Sequence, residues 1–148
     1  MNDYAIWGKI TEVYYLISKA RSSELEKQGL TPEQSQIIRV LIEKGGTSSI
    51  TEISEVTLRR HNTTSLIIKR MEKAGFVRRE KIASSNRYQI IITEKGIRLF
   101  ETMPLNSIDM IFSKLSSDEK EALVSILDKL DKQTRYILGL DYIPPLFR

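Results

Sequence analysis

Residues 59–87, RRHNTTSLIIKRMEKAGFVRREKIASSNR, hold nine Lys or Arg against two Glu, a local net charge of +7. The whole chain is only +4, which leaves −3 for everything outside the segment. Positive charge concentrated in one stretch of a slightly acidic body is chemistry for a polyanion held in one orientation, because each cation set against a phosphate releases condensed counterions. Charge alone would equally suit RNA or an anionic membrane, so the pattern within the segment must decide. His61, Asn62, Thr63, Thr64 and Ser65 are short polar side chains at the start of a helix-forming run, suited to hydrogen bonds with base edges or to contact with a thymine methyl. The helix N-terminus itself favours a phosphate. Arg59, Arg60, Lys69, Arg70, Lys73, Arg78, Arg79 and Lys81 are expected mainly at phosphates, which position a protein without specifying sequence. Arg87 has the reach to enter a narrow minor groove. The competing account makes Asn62 and Thr63 helix caps and the cations a solvated face, with Arg70 or Arg79 paired to Glu72 or Glu80.

The rest of the composition removes other chemistries. Cysteine is absent and His61 is the single histidine, so neither a thiol nucleophile nor a protein-built zinc site is expected. There is no phosphate-binding glycine loop and no Gly-x-Ser-x-Gly elbow, so no enzyme, metal or cofactor is expected. The scattered carboxylates Glu119, Glu121, Asp128 and Asp131 lie among lysines and read as surface pairs. The first residues do not form a secretory signal and no run of about 18 apolar residues occurs, which gives the expectation of a soluble cytoplasmic protein with no membrane contact.

Positioning elements follow from periodicity and capping. Ile6, Ile10, Val13, Tyr14 and Ile17 form one stripe of a first helix ending near Gly29. Thr31, Pro32 and Gln34 start a second through a capping box, with Ile37, Ile38, Leu41 and Ile42 inward and Gly45-Gly46 as its stop. Ser49 and Glu52 repeat the box before a short helix with Ile50, Ile53 and Val56 inward. A fourth helix over 61–74 turns Ile67, Ile68 and Met71 inward, and its tight connection to the third gives helix-turn-helix spacing. Residues 76–82 and 88–92 are β-branched runs flanking the polar stretch 83–87, a hairpin that would form a wing. Thr93 caps a further helix interrupted near Pro104; Ile108, Ile111, Phe112 and Leu115 continue a helical stripe. Ser116 with Glu119 opens the last helix, whose Leu123, Ile126, Leu127 and Leu130 form a narrow seam, and the tail from Asp141 cannot continue it. The fold class expected is mainly α with a small β-hairpin wing (α+β).

This element order, with LTPEQSQIIRVL, TEISEVT, TTSLIIKRMEKAGFVRRE and IIITEKG, resembles the MarR family of bacterial transcriptional regulators, at motif level over residues 30–100. The resemblance implies a winged helix-turn-helix homodimer that binds a pseudo-palindromic double-stranded DNA operator. It also implies repression of nearby genes and release of DNA by a small, frequently aromatic, effector. Many members carry an Asp-Arg-Arg-type triplet at the wing. Here the stretch is Ser84-Ser85-Asn86-Arg87, which leaves both Arg87 and Lys81 as candidates for the minor groove. The organisation expected is a winged-helix lobe over 31–100 and a helical dimerisation region from 1–30 and 101–148. The apolar stripes of the terminal helices exceed what a small lobe can cover, so Trp7, Tyr14, Tyr15, Leu127, Leu130, Ile137 and Leu138 are dimer candidates, with an intrachain core as the alternative. By resemblance, Tyr14, Ile17, Ile38, Arg39 and Ile42 would line an effector pocket, though such residues at helical spacing also serve as plain core. A reading from another class is a winged-helix protein-interaction module that sets its basic face on an acidic partner.

Overall fold

The computed structural model describes residues 1–141; the tail expected to leave the last helix lies, beyond Asp141, outside the described residues. The elements run α1 (Asp3–Glu26), α2 (Pro32–Glu43), β1 (Thr47–Ser49), α3 (Ile50–Thr57), α4 (His61–Lys73), β2 (Val77–Lys81), β3 (Tyr88–Ile92), α5 (Glu94–Glu101), α6 (Asn106–Phe112) and α7 (Ser117–Leu138). This is a mainly helical winged helix with one small antiparallel sheet. It divides into two compact units, Met1–Pro104 and a second beginning at Leu105, so that α1 belongs with the lobe.

In the first unit the helix starts follow the expected chemistry. Thr31 Oγ1 accepts from the Gln34 amide at 3.2 Å while the Thr31 amide donates to Gln34 Oε1 at 3.2 Å, a complete capping box behind Pro32. The box expected at α3 is only half formed. Ser49 Oγ accepts from the Glu52 amide at 3.1 Å, but the Glu52 carboxylate accepts instead from Ser48 Oγ at 2.5 Å and Lys44 Nζ at 3.0 Å. Those bonds hold its carboxyl below the ordinary carboxylate range, the Ser48 bond first and Lys44 next.

The core of this unit is Leu25, Leu30, Ile37, Ile38, Val40, Leu41, Ile53, Ile68, Met71, Phe76, Val77, Ile90 and Ile92. Val40 replaces the expected Ile42, which is half-buried, and of the α3 positions only Ile53 is fully enclosed. Ser54 and Thr57 are buried too, their hydroxyls donating to the Ile50 and Ile53 carbonyls at 2.7 Å each. The sheet has three strands in the order β1-β3-β2. Beyond the expected hairpin, in which Val77 pairs with Ile92 and Lys81 with Tyr88, the segment after Gly46 pairs Thr47 with Ile91 and Ser49 with Gln89.

The second unit contains α6 and α7, and among its described residues neither helix buries a single side chain. Helix α7 starts with a complete capping box, Glu119 N to Ser116 Oγ at 3.2 Å and Ser116 N to Glu119 Oε2 at 2.8 Å. No helix among the described residues is long and apolar enough to cross a membrane.

One glycine closes the base of the wing. Thr93 donates its amide to the Phe76 carbonyl at 3.0 Å and accepts the Gly96 amide at 3.2 Å, which draws α5 onto the start of β2. A Cβ on Gly96 would lie 2.3 Å from the Phe76 carbonyl oxygen and 2.8 Å from Ile92 Cγ1. Gly96→Ala is therefore expected to cost about 1–3 kcal/mol, as overpacking in a fixed site does, read as a lowered midpoint of urea unfolding followed by circular dichroism. An unchanged midpoint would show that α5 is not pressed against the wing base.

Candidate nucleic-acid interface

Helix α4 has two opposed faces. Thr64, Ile68 and Met71, at i, i+4 and i+7, are each 0% exposed and fix the rotation of the helix. Asn62, Leu66, Lys69 and Lys73, displaced by two residues from that stripe, are all exposed on the opposite side, beside Arg70. His61 and Thr63 are also exposed and Ser65 is half-buried. Thr64 is the expected contact that the structure removes. Its side chain is enclosed and its hydroxyl donates to the Arg60 carbonyl at 3.2 Å, so it serves packing and cannot meet a base.

The start of α4 is not consumed by its own sequence. The N-cap is Arg60, which makes no side-chain cap, and the first turn contains no acidic residue. Asn62 and Thr63 lie inside the helix and do not cap it. The first-turn amides and the helix dipole thus face outward with a positive end. The preceding turn is tightened by Leu58, a non-glycine residue in the left-handed region at φ 56°.

The nine cations of the segment divide into two groups. Arg78 Nη1 pairs with Glu80 at 2.6 Å, and Arg59 Nη1 donates to Gln36 Oε1 at 2.7 Å. Arg79 was expected at phosphate or paired to Glu72 or Glu80, and the structure favours Glu72. Its side chain is only 22% exposed, with Nε 3.7 Å from the Glu72 carboxylate and the guanidinium carbon 5.8 Å from the Tyr88 ring centroid, and it braces the wing against α4. Arg60, Lys69, Arg70, Lys73, Lys81 and Arg87 are exposed and have no acidic partner among the described residues. Lys81 and Arg87 flank the tip of the wing, where the Ile82 amide donates to the Arg87 carbonyl at 3.0 Å and Ser84 takes a left-handed φ of 62°.

The five residues expected to line an effector pocket differ in exposure. Ile38 is sealed in the core, Ile17, Arg39 and Ile42 are half-buried, and Tyr14 is 72% exposed. Burial pushes the Arg39 guanidinium below its ordinary value, opposed by Glu43 and aided by Arg21. A groove of about 490 Å³ includes Tyr14 of the five in its lining, with Tyr15 and Lys19 of α1, Glu33 and Gln36 of α2, and Arg59. The dimer candidates are exposed: Trp7, Tyr14 and Tyr15 on α1, and Leu127, Leu130, Ile137 and Leu138 on α7. No group of three or more His, Asp or Glu side chains that could hold a metal ion occurs among the described residues.

The sequence model of the MarR family matches residues 28–87, the span from the end of α1 to the wing tip. Over this span the chain matches the MarR family. No match is found among curated protein sequences. Among solved structures, the organohalide-sensing transcriptional regulator RdhR superposes with a TM-score of 0.87 at 24% identity, over 97% of this chain and 89% of that one, both ligand-free and bound to 2,4-dichlorophenol. A mutant MarR from E. coli in complex with operator DNA gives a TM-score of 0.77 at 16% identity, over 85% of this chain and 93% of that one. MepR from S. aureus in complex with DNA gives 0.75 at 22%, over 90% and 99%. At these identities the likeness is one of fold, and it extends well beyond residues 28–87.

The lobe gives a test that separates brace from surface. Arg79→Ala should lower stability by about 1 kcal/mol or more, through lost packing and ring contact, whereas Lys69→Ala and Arg87→Ala should each stay within about 0.5 kcal/mol. Equal effects in urea unfolding would mean that Arg79 does not brace the wing.

Proposed function

We propose that this chain is a MarR-family regulator, a sequence-specific, double-stranded DNA-binding transcriptional repressor that acts as a homodimer on a pseudo-palindromic operator in the cytoplasm. The observation that carries the reading is the cluster of exposed cations without acidic partners on one face of α4 and at the wing tip, beside an uncapped helix start. In a helix-turn-helix that face enters the major groove, so His61, Asn62, Thr63 and Ser65 reach base edges while Lys69, Arg70 and Lys73 reach phosphates. Arg60 lies at the entry to α4, and the wing carries Lys81 and Arg87 toward the adjacent minor groove. Relatives of the same fold crystallised with DNA support this assignment.

One lobe reads one half-site. A twofold pair, with reading helices about 34–36 Å apart, reads two successive major grooves. The exposed apolar faces favour such a pair: burying Trp7, Tyr14 and Tyr15 of α1, and Leu127, Leu130, Ile137 and Leu138 of α7, against a second copy would remove them from water. A small aromatic effector is the proposed release signal, since a relative of this fold binds 2,4-dichlorophenol and the groove beside Tyr14 and Tyr15 offers aromatic walls next to Arg59. Its effect requires a difference in affinity between the DNA-competent and released states.

Fluorescence anisotropy on duplexes selected from a random pool should show affinity that falls with salt at a log–log slope on the order of −5 to −10. Lys73→Ala should flatten that slope by about 2 for a dimer, and Arg87→Ala should weaken binding chiefly where the flanks are A·T-rich. Binding without a salt slope, or capture of an acidic protein with no preference for duplex DNA, overturns the reading in favour of a protein-interaction module. Sedimentation equilibrium is expected to give a dimer, and Leu127→Glu with Leu130→Glu a monomer; an unchanged mass would remove α7 from the interface.

A further inference from the structure

Leu66 is 57% exposed in the middle of the polar and cationic face of α4. It lies one turn beyond Asn62 and one turn before Lys69 and Arg70, on the stripe continued by Lys73. Helix propensity gives no reason for a leucine there, because Lys, Arg, Gln and Glu form helices about as well. The inward face does not need it either, being filled by Thr64, Ile68 and Met71. Single exposed apolar residues are common on surfaces. What sets this one apart is its place at the centre of the side that, in the DNA-binding reading on which this inference rests, faces the floor of the major groove.

On its C-terminal side Lys69, Arg70 and Lys73 are long and charged and, in that reading, extend to the phosphate walls. Leu66 is shorter and has no donor or acceptor. The apolar group that distinguishes one base from another on the major-groove floor is the 5-methyl of thymine, where cytosine has only a C5–H; the N7, O6, O4, N6 and N4 groups are hydrogen-bond donors or acceptors. A leucine set against a donor or acceptor edge would desolvate that edge without replacing its bond, whereas against the methyl it removes apolar surface of both partners from water.

We infer that Leu66 is a specificity-determining residue that reads the 5-methyl group of a thymine in each half-site by apolar contact. The polar residues of the first turn then read hydrogen-bonding edges, and Leu66 rejects cytosine and purines at one position.

Deoxyuridine differs from thymidine only in lacking that methyl, so it isolates the contact. In the duplex that the full chain selects most strongly from a random pool, each thymine is replaced in turn by deoxyuridine, and affinities are compared for the unsubstituted protein and Leu66→Ala. One symmetry-related pair of thymines is expected to respond, with about fourfold loss for one methyl and roughly fifteenfold for both. Leu66→Ala should bind the thymine duplex correspondingly less well and be indifferent to the replacement. The inference is overturned if no thymine responds, if Leu66→Ala keeps the response, or if Leu66→Ala weakens both duplexes equally. Failure to recover any duplex would instead overturn the DNA-binding reading itself.

Discussion

The burial of one stripe of α4 is the constraint on which the candidate site depends. Thr64, Ile68 and Met71 are sealed against the rest of the core, and Thr64 can be sealed because its hydroxyl is satisfied by the carbonyl one turn earlier. A helix pinned on one side has no rotational freedom. The residues displaced by two positions must then point outward, and in this chain they are an amide, a leucine and two lysines with an arginine beside them. Rotation about the helix axis would bury Lys69 or Lys73, which costs several kcal/mol for a charge without a partner. Apolar packing on the inside therefore aims the charge on the outside.

Charge does not act as a uniform coat over this face. Arg78 is offset by Glu80, and Arg79 lies between Glu72 and Tyr88, where it serves as a strut between helix and wing. The cations left over occur in two clusters, along α4 and beside the wing tip. The strut and the Gly96 contact at the wing base give these two clusters a defined separation within the first unit. Geometry of that kind distinguishes binding in one orientation from general attraction to a polyanion.

The second unit presents the opposite situation. Helix α7 has a complete capping box and a left-handed glycine stop, so its ends are well determined, yet none of its described side chains is buried. An isolated amphipathic helix of 22 residues with an open apolar seam gains little from propensity alone. Its stabilisation must come from packing, and the seam of Leu127 and Leu130, like the aromatic residues of α1, is the surface available for it.

Much of this was legible in the sequence because local chemistry decided it. Capping residues fixed the starts of α2, α5 and α7, periodicity fixed the inward stripe of α4, and charge counting located the basic segment. Three features depended on partners distant in the chain. Strand β1 is three polar residues long, too short for any period, and exists because β3 offers it an edge. Glu52 has the spacing of a capping box but is drawn to Ser48 and Lys44 once the chain folds. Thr64 and Arg79 look like DNA contacts by type, yet one fills the core and the other braces the wing. Ile38 shows the same limit, as helical spacing places it on an apolar face without saying that the core seals it. Residue type and spacing thus determined which elements form and which face of each is apolar; what those faces meet was decided only in three dimensions, because burial is a property of the partner as much as of the side chain.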